Sequence, residues 1–383
     1  MFIGGGDMNI VYVINSMSKS CGGPACTTLL TVQGMKTLGW EVKILTNRIQ
    51  PGEMPVSEEP FIHYLELPAY YNSRFGYSPA WSKVLKKTSG ADIYHIQGIW
   101  QYQGYITARF AIENHFPYVV TLHGALHPEA LSYSSLIKKT AFSLFQRKQL
   151  QKASCVHVTC EEEMKHYRSL GFTNPVAIVP NPIDCSEPVD PFFKDKIKRV
   201  GYLGRIQPYK RVDRLIEIWK KLHEPGELVI MGDGDPRYVS GIRRIVQEAG
   251  LDKVRFTGWV SGMEKQRLLA SLTCLVVPSD FENFGMIIPE ALLQNVPVIG
   301  STATPWEDLN TYQCGWWVNN DLETLTDVLR EVLSLDRRLL YEMGERGRRL
   351  VLEKYAVNVV SEQMGQLYGW LTGNSEKPDF VFE

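Results

Sequence analysis

No apolar run in the 383-residue sequence is long enough to span a bilayer, so an integral membrane protein is not expected. An excess of one charge is also missing. The chain has 41 Lys and Arg against 42 Asp and Glu, and this balance gives no sign of nucleic acid as a partner. Cysteine is sparse: the seven residues are odd in number and scattered. Neither Cys21/Cys26 nor Cys155/Cys160 has zinc-ligand spacing, and no histidine pair completes a site. Reduced, mostly buried thiols of a cytoplasmic protein are the expectation, with no metal. The opening residues, Met1 to Met8, lack the basic segment and apolar stretch of a secretory signal. No internal repeat or low-complexity tract stands out. What is present, 44% apolar and 22% charged residues over this length, fits a globular protein of two domains.

Apolar runs suited to buried strands occur at Asn9–Asn15, Glu41–Thr46, Asp92–Ile96, Tyr118–Leu122, Cys155–Thr159 and Val176–Val179. Helical patterns lie between most of them, including one over Ala25–Leu38 that Gly39 is placed to end. This alternation predicts a parallel α/β sheet. Pro180–Asn181–Pro182 breaks the pattern, and the proline-containing, charged stretch up to Lys198 reads as a linker. A second series follows at Arg199–Leu203, Glu227–Met231, Val254–Thr257, Cys274–Val277 and Val296–Ile299. The last long helical pattern runs from Leu322–Leu333 onward to about Leu371, before a polar tail expected to fray. The predicted organisation is therefore two doubly wound domains, 1–180 and 199–358, around a linker at 181–198, with a terminal helix at 359–373 and a tail at 374–383. In such sheets ligands bind beyond the strand C-termini.

The most informative segment is Ser279 to Ala291. It follows the apolar run Cys274–Pro278. Pro289 is tolerated only in a helix's first turn, so a helix should begin near it and carry Glu290 there. Strand, loop with Glu282 and Gly285, then helix N-terminus make a place suited to a phosphate. The two carboxylates beside it are acceptors for sugar hydroxyls. Phosphate and polyol side by side suggest a nucleotide-sugar site. Arg205 and Lys210 lie together on the loop after Arg199–Leu203, where fixed cations could stabilise a departing diphosphate. Gly204 opens that loop, and Gly232 opens the next one, where a glycine permits a tight turn.

The Glu282–x7–Glu290 spacing resembles the signature of retaining GT-B glycosyltransferases of the large group 4 family, which includes many bacterial polysaccharide and lipid glycosyltransferases. The resemblance implies the GT-B fold, two Rossmann-like domains facing a central cleft, with the final helix crossing back to the first domain. It implies that Glu282 holds the donor-sugar hydroxyls and Glu290 the ribose, while Arg205 and Lys210 clamp the diphosphate. Arg211, beside the clamp, is left as a surface residue. Asn283, Phe284, Gly285, Met286 and Ile287 would line the sugar and diphosphate, and the backbone at Val260, in Gly258–Trp259–Val260, would read the base. One departure is the turn Ser301–Thr302–Ala303–Thr304–Pro305–Trp306, where many relatives are glycine-rich. With Cys314–Gly315–Trp316–Trp317 it is similar to members that build bacterial surface polysaccharides. The tryptophans are expected to be packing residues.

In the first domain His123 ends the run Tyr118–Leu122 and resembles the family's His-Gly element, whose histidine contacts the donor sugar. Gly22 and Gly23 resemble its glycine loop near the donor phosphates. His95 also sits at a strand end but has no assigned role. The segment Ile137–Lys148 mixes cations with aromatics; an amphipathic helix packed on its own protein is expected ahead of peripheral contact with an anionic membrane. The expected reaction is retaining transfer of a sugar from a nucleoside-diphosphate sugar to a hydroxyl acceptor, such as a lipid-linked glycan, without a cofactor. The alternatives are a sugar-nucleotide epimerase of the same architecture and a noncatalytic sugar-nucleotide-binding protein.

Overall fold

A computed structural model of the chain describes residues 8–66, 75–132, 135–186 and 197–383. Among the described residues, seven strands precede the chain's midpoint: β1 Asn9–Ile14, β2 Glu41–Asn47, β3 Ile62–Leu65, β4 Ile93–Gln97, β5 Tyr118–Thr121, β6 Cys155–Val158 and β7 Val176–Ile178. Six follow: β8 Arg199–Leu203, β9 Glu227–Met231, β10 Val254–Gly258, β11 Cys274–Val277, β12 Val298–Ser301 and β13 Gly315–Val318. A short last strand is β14 Val381–Phe382. They form two sheets, ordered β14-β7-β6-β5-β4-β1-β2-β3 and β10-β9-β8-β11-β12-β13. Every pairing is parallel except that of β14 with β7.

The chain divides into two compact units. The first comprises Met1–Pro182 with Val357–Glu383, and the second is Ile183–Ala356. The linker expected at 181–198 falls partly outside the described residues, since 187–196 are not among them.

The central strands read as continuous apolar runs because both of their faces are covered. In the first unit Val11, Val13, Ile96 and Val120 face one core, while Ile10, Tyr12, Ile44 and Val119 face the other. The second unit repeats this with Leu275 and Val277 on one side and Val200 and Val276 on the other. The terminal helix Val357–Leu371 packs Val360, Met364, Leu367 and Tyr368 into the core beside β1.

Four sequence expectations need correction. The tail is not frayed along its length: Val381 is buried and pairs with Ala177 as β14, and Arg168 donates to the Phe382 carbonyl at 3.2 Å. An edge strand needs only two paired residues, too few to register in a polar background. The strand expected at Val296–Ile299 begins two residues later, after Pro297, whose carbonyl accepts from Leu275 N–H. The pattern from Leu322 onward is three helices, Leu322–Ser334, Arg337–Lys354 and Val357–Leu371, with Asp336 capping the second by accepting from Arg338 N–H at 2.7 Å. Strands β3 and β13 were not anticipated.

Candidate functional site

The second sheet reverses direction between β8 and β11, and the loops leaving these strands meet at that switch point. Asp280 N–H donates to the Tyr209 carbonyl at 2.7 Å, tying the β11 loop to the β8 loop. This brings Lys210 and Glu282 into an ion pair, Lys210 Nζ to Glu282 Oε1, with side chains only 14% and 10% exposed. Ser279 Oγ also donates to Glu282 Oε1 at 3.0 Å, and Glu282 N–H donates to the Ala303 carbonyl at 3.2 Å. The acid is thus fixed from three loops. Arg205 is exposed on the same loop as Lys210, and its carbonyl accepts from the buried Tyr202 hydroxyl at 2.8 Å.

Arg211 is more than the surface cation expected of it. Its left-handed backbone (φ 55°) starts the helix Val212–Lys221, and its guanidinium pairs with Asp213 and Asp280, both at 3.2 Å. Arg214 joins Asp280 at 3.3 Å. Asn320, beyond β13, donates to Asp280 Oδ1 at 2.8 Å and to the Ser279 carbonyl at 3.1 Å. This network braces the β11 loop, and nothing in the local sequence announced it.

Glu290 falls in the first turn of the helix Ile287–Leu293. That helix has seven residues, so the formal charges of Arg205 and Lys210 outweigh its dipole as positive features of the site. Glu290 pairs with Lys265 at 2.9 Å, a residue the sequence analysis did not single out; their side chains are 26% and 27% exposed. Gly285 holds φ +77°, a turn that a side chain would strain. Phe284 and Val260 place their side chains in the core, so any ligand contact falls to their backbone. Phe284 packs edge-on to Trp306, whose Nε1–H donates to the Phe284 carbonyl at 2.5 Å. Trp306 is therefore a packing residue, as expected. Asn283, Met286 and Ile287 lie on the same loop and helix start.

Gly204 and Gly232 have a steric reason to be glycine. A Cβ on Gly232 would lie 1.9 Å from the Gly204 carbonyl oxygen, and both residues have positive φ. The β8 and β9 loops could not run together otherwise.

In the first unit His123 follows β5 in a left-handed conformation (φ 51°), and Gly124 continues it (φ 74°). His123 Nε2–H donates to Gln97 Oε1 at 2.8 Å. Burial, with His157 nearby, lowers the His123 pKa to about 3, so the ring is neutral and cannot serve as a cationic acid near neutral pH. Gly22 (φ 68°) and Gly23 begin the helix Gly23–Thr37. A pocket in this unit is lined by Tyr12, Thr28, His95, Gln97, His123 and His157, among others. The Thr28 hydroxyl is buried there without a protein partner.

His95, without a role in the sequence reading, is the hub of a buried hydrogen-bond chain. The chain ends at the Val179 carbonyl, which can only accept, so His157 Nε2 donates to it at 2.8 Å. In a neutral ring, His157 Nδ1 then accepts from Thr121 Oγ1 at 2.9 Å. The Thr121 oxygen accepts from His95 Nε2 at 2.6 Å, leaving His95 Nδ1 to accept from the Tyr368 hydroxyl at 2.5 Å. Tyr368 finally accepts from the Tyr12 hydroxyl at 2.6 Å. One acceptor-only terminus thus orders every proton. Burial pushes the His95 pKa well down and that of His157 down to about 4, consistent with neutral rings.

Two parallel, Rossmann-like α/β units, each with polar groups gathered beyond its strand C-termini, define the GT-B class of fold. Residues 22–182 match the Glycosyl transferase 4-like domain, and residues 187–350 match the domain described as Glycosyl transferases group 1. The chain belongs to the glycosyltransferase family built from these two domains. It is 24% identical over 178 residues to the poly(ribitol-phosphate) alpha-N-acetylglucosaminyltransferase of Staphylococcus aureus, covering 45% of this chain and 35% of that enzyme. The chain spans under half the length of the first curated relatives it matches. Sucrose-phosphate synthase from Thermosynechococcus elongatus shares the fold with a TM-score of 0.76 and 22% identity, covering 96% of this chain and all of that one. The Anabaena protein HepE, solved with UDP-glucose, has a TM-score of 0.72 and 16% identity, covering 95% and 100%. Among the described residues no helix is long and apolar enough to cross a membrane.

Proposed function

We propose that the protein is a retaining glycosyltransferase that moves a sugar from a nucleoside-diphosphate sugar to a hydroxyl of a lipid-linked glycan in surface polysaccharide synthesis. The observation that carries this reading is the Lys210–Glu282 pair at the switch point of the second sheet, with Arg205 on the same loop. A diphosphate draws Arg205 and Lys210 toward its oxygens, and Glu282 is then free to accept hydrogen bonds from the donor sugar. Glu290 takes the ribose hydroxyls, and backbone at Val260 and Gly285 lies against the base and sugar. HepE binds UDP-glucose with the same fold, which supports a donor of this class.

Reaction breaks the bond between the sugar's anomeric carbon and the diphosphate oxygen. The acceptor oxygen attacks the same face, and its proton passes to an oxygen of the leaving diphosphate. Arg205 and Lys210 stabilise the charge that develops there, an effect worth on the order of 100- to 1,000-fold in kcat per group. In the first unit, Gly22 and Gly23 are assigned to substrate binding and neutral His123 to a hydrogen bond with a sugar hydroxyl.

Membrane contact belongs to the same proposal. Residues 130–160 contain Lys138, Lys139, Arg147, Lys148 and Lys152 and no acid. Leu136 and Leu144 within that stretch are 80% and 76% exposed, an arrangement suited to an anionic lipid surface.

The test is a screen of UDP-, GDP- and ADP-sugars with lipid-linked acceptors, wild type beside Glu282→Gln and Arg205→Ala, with product configuration read by NMR. Retained configuration, with transfer lost in both variants, supports the reading. Inverted product refutes it, and a new sugar isomer formed from donor alone replaces it with epimerisation.

A further inference from the structure

The turn carrying His123 is held by a side chain that no sequence motif singled out. Glu163 is the third residue of the helix Glu161–Ser169 and is 4% exposed. Its Oε2 accepts from Thr159 N–H at 2.8 Å and from the Thr159 hydroxyl at 3.2 Å. An acid at this helix position commonly reaches back in this way, and it favours the positive end of the dipole. Capping is complete with that one oxygen. The other, Oε1, accepts the N–H of Gly124, a residue 39 positions earlier on a different element.

Gly124 is the second of two consecutive left-handed residues, and the first is His123. A residue with a Cβ adopts this conformation only where its surroundings hold it. Three elements do so here. The Thr121 hydroxyl is held by His95 and His157, the His123 ring by Gln97 on β4, and the Gly124 amide by Glu163. The turn also closes on itself, Ala125 N–H donating to the Leu122 carbonyl and His127 N–H to the Gly124 carbonyl, both at 3.1 Å, and Glu163 adds the side-chain grip on the Gly124 amide. Free rotation of the Gly124 peptide would turn the imidazole away from Gln97.

We propose that Glu163 is a positioning residue: its buried carboxylate fixes the His123–Gly124 turn and thereby the direction of the His123 imidazole. The consequence for catalysis rests on the proposed function, whereas the geometry does not.

The experiment uses the full-length protein with ¹⁵N labelling, as wild type, Glu163→Gln and His123→Ala. Gln keeps one acceptor oxygen, which suffices for the cap, but sets an NH2 against the Gly124 amide. In Glu163→Gln the Gly124 amide is expected to exchange roughly 10- to 100-fold faster, as befits one lost buried hydrogen bond. The His123 ring nitrogen shifts move with it, and exchange in the helix Glu161–Ser169 stays slow. Transfer should show kcat lowered on the order of 100-fold with little change in donor KM, the cost of a misplaced group.

Unmoved His123 ring shifts in Glu163→Gln would overturn the proposal and leave Glu163 as a helix cap only. Normal transfer by His123→Ala would instead refute the functional reading of His123, while the exchange data still decide the positioning role. Should Glu163→Gln fail to fold, the wild type suffices: a Gly124 amide that exchanges at the rate of an open loop rules out the proposed grip.

Discussion

The ordered chain from Tyr12 to the Val179 carbonyl predicts an asymmetry between two substitutions that look equivalent. Tyr368→Phe removes the hydroxyl between Tyr12 and His95, leaving the buried acceptor His95 Nδ1 without its partner and the Tyr12 O–H with only the weak Met35 Sδ acceptor at 3.7 Å. The orphaned acceptor costs about 1–3 kcal/mol and the donor left to sulfur adds up to about 1 kcal/mol, so the variant loses about 1–4 kcal/mol. Tyr12→Phe removes only the first donor. Tyr368 still donates to His95, and the loss is about 0.5–1.5 kcal/mol. Both changes keep the ring, so no cavity adds to either value. The double variant removes the weakly bonded donor along with its former partner and is expected to be no less stable than Tyr368→Phe alone. Two units can unfold separately, and a single melt would then blur the result. The assay is therefore hydrogen exchange along a urea gradient, read on peptides from β4 and the helix Val357–Leu371. A Tyr12→Phe loss equal to or above that of Tyr368→Phe would refute the direction of the chain, and additive losses would refute the coupling.

Acid should weaken the first unit before its carboxylates titrate. His95, His123 and His157 have folded pKa values below the usual 6.5, so the unfolded state binds more protons as pH falls from there toward 4. Stability is complete above about pH 6.5 and declines by as much as ~1.4 kcal/mol per histidine per pH unit below it, measurable by the same exchange assay between pH 6.5 and 5. In the second unit, Lys210→Met leaves Glu282 nearly buried and without its cation, at a cost of about 2–4 kcal/mol. Adding Glu282→Gln should recover most of that stability by the same exchange assay read on peptides of the second unit, while the proposed function expects donor binding to be lost. Gly232→Ala should abolish soluble folded protein, because its Cβ would strike the Gly204 carbonyl. Gly241→Ala, inside the helix Pro236–Glu248 with open space around the new methyl, should raise stability by about 0.5–1 kcal/mol.

What the sequence made legible follows the physics of burial. Strands β8, β9 and β11 were anticipated to the residue, since a strand covered on both faces must be apolar throughout. Strand β3 was missed because Ile62–His63–Tyr64–Leu65 is short and lies at an edge, with His63 exposed. Strand β13, Gly315–Trp316–Trp317–Val318, is the other sheet's edge, and its aromatics masked its period. The loops carrying Arg205, Lys210, Glu282 and Glu290 were readable because each follows a recognisable strand. Their partners were not. Lys265, Asn320 and Glu163 act through contacts made by folding, and Tyr368 meets His95 across 273 residues. Sequence spacing reveals which side chains share an element, and it is silent about which elements share a rim.

The two units solve the same problem of burying polar chemistry at the ends of parallel strands by opposite means. In the first, the chain from Tyr12 to the Val179 carbonyl and the His123–Gln97 pair are uncharged: imidazoles kept neutral by burial, hydroxyls and an amide, with the protons of the chain ordered from a single carbonyl. These neutral groups carry no ionic desolvation cost and can exchange hydrogen bonds with a hydroxyl at little electrostatic expense, while the buried acid beside them, Glu163, is held by the Gly124 and Thr159 amides. In the second, Lys210 with Glu282 and Lys265 with Glu290 are opposite charges that cancel in place. A half-buried pair of this kind is close to neutral in its effect on stability, yet each partner is strongly attractive once the other is satisfied. A ligand bearing both negative phosphate and neutral hydroxyls can satisfy both partners at once, the cation by phosphate and the acid by hydroxyls. A free phosphate or a free sugar satisfies only one. On the proposed function, this expected preference for a joined diphosphate and sugar is the reason to assign the donor to the second unit and hydroxyl recognition to the first.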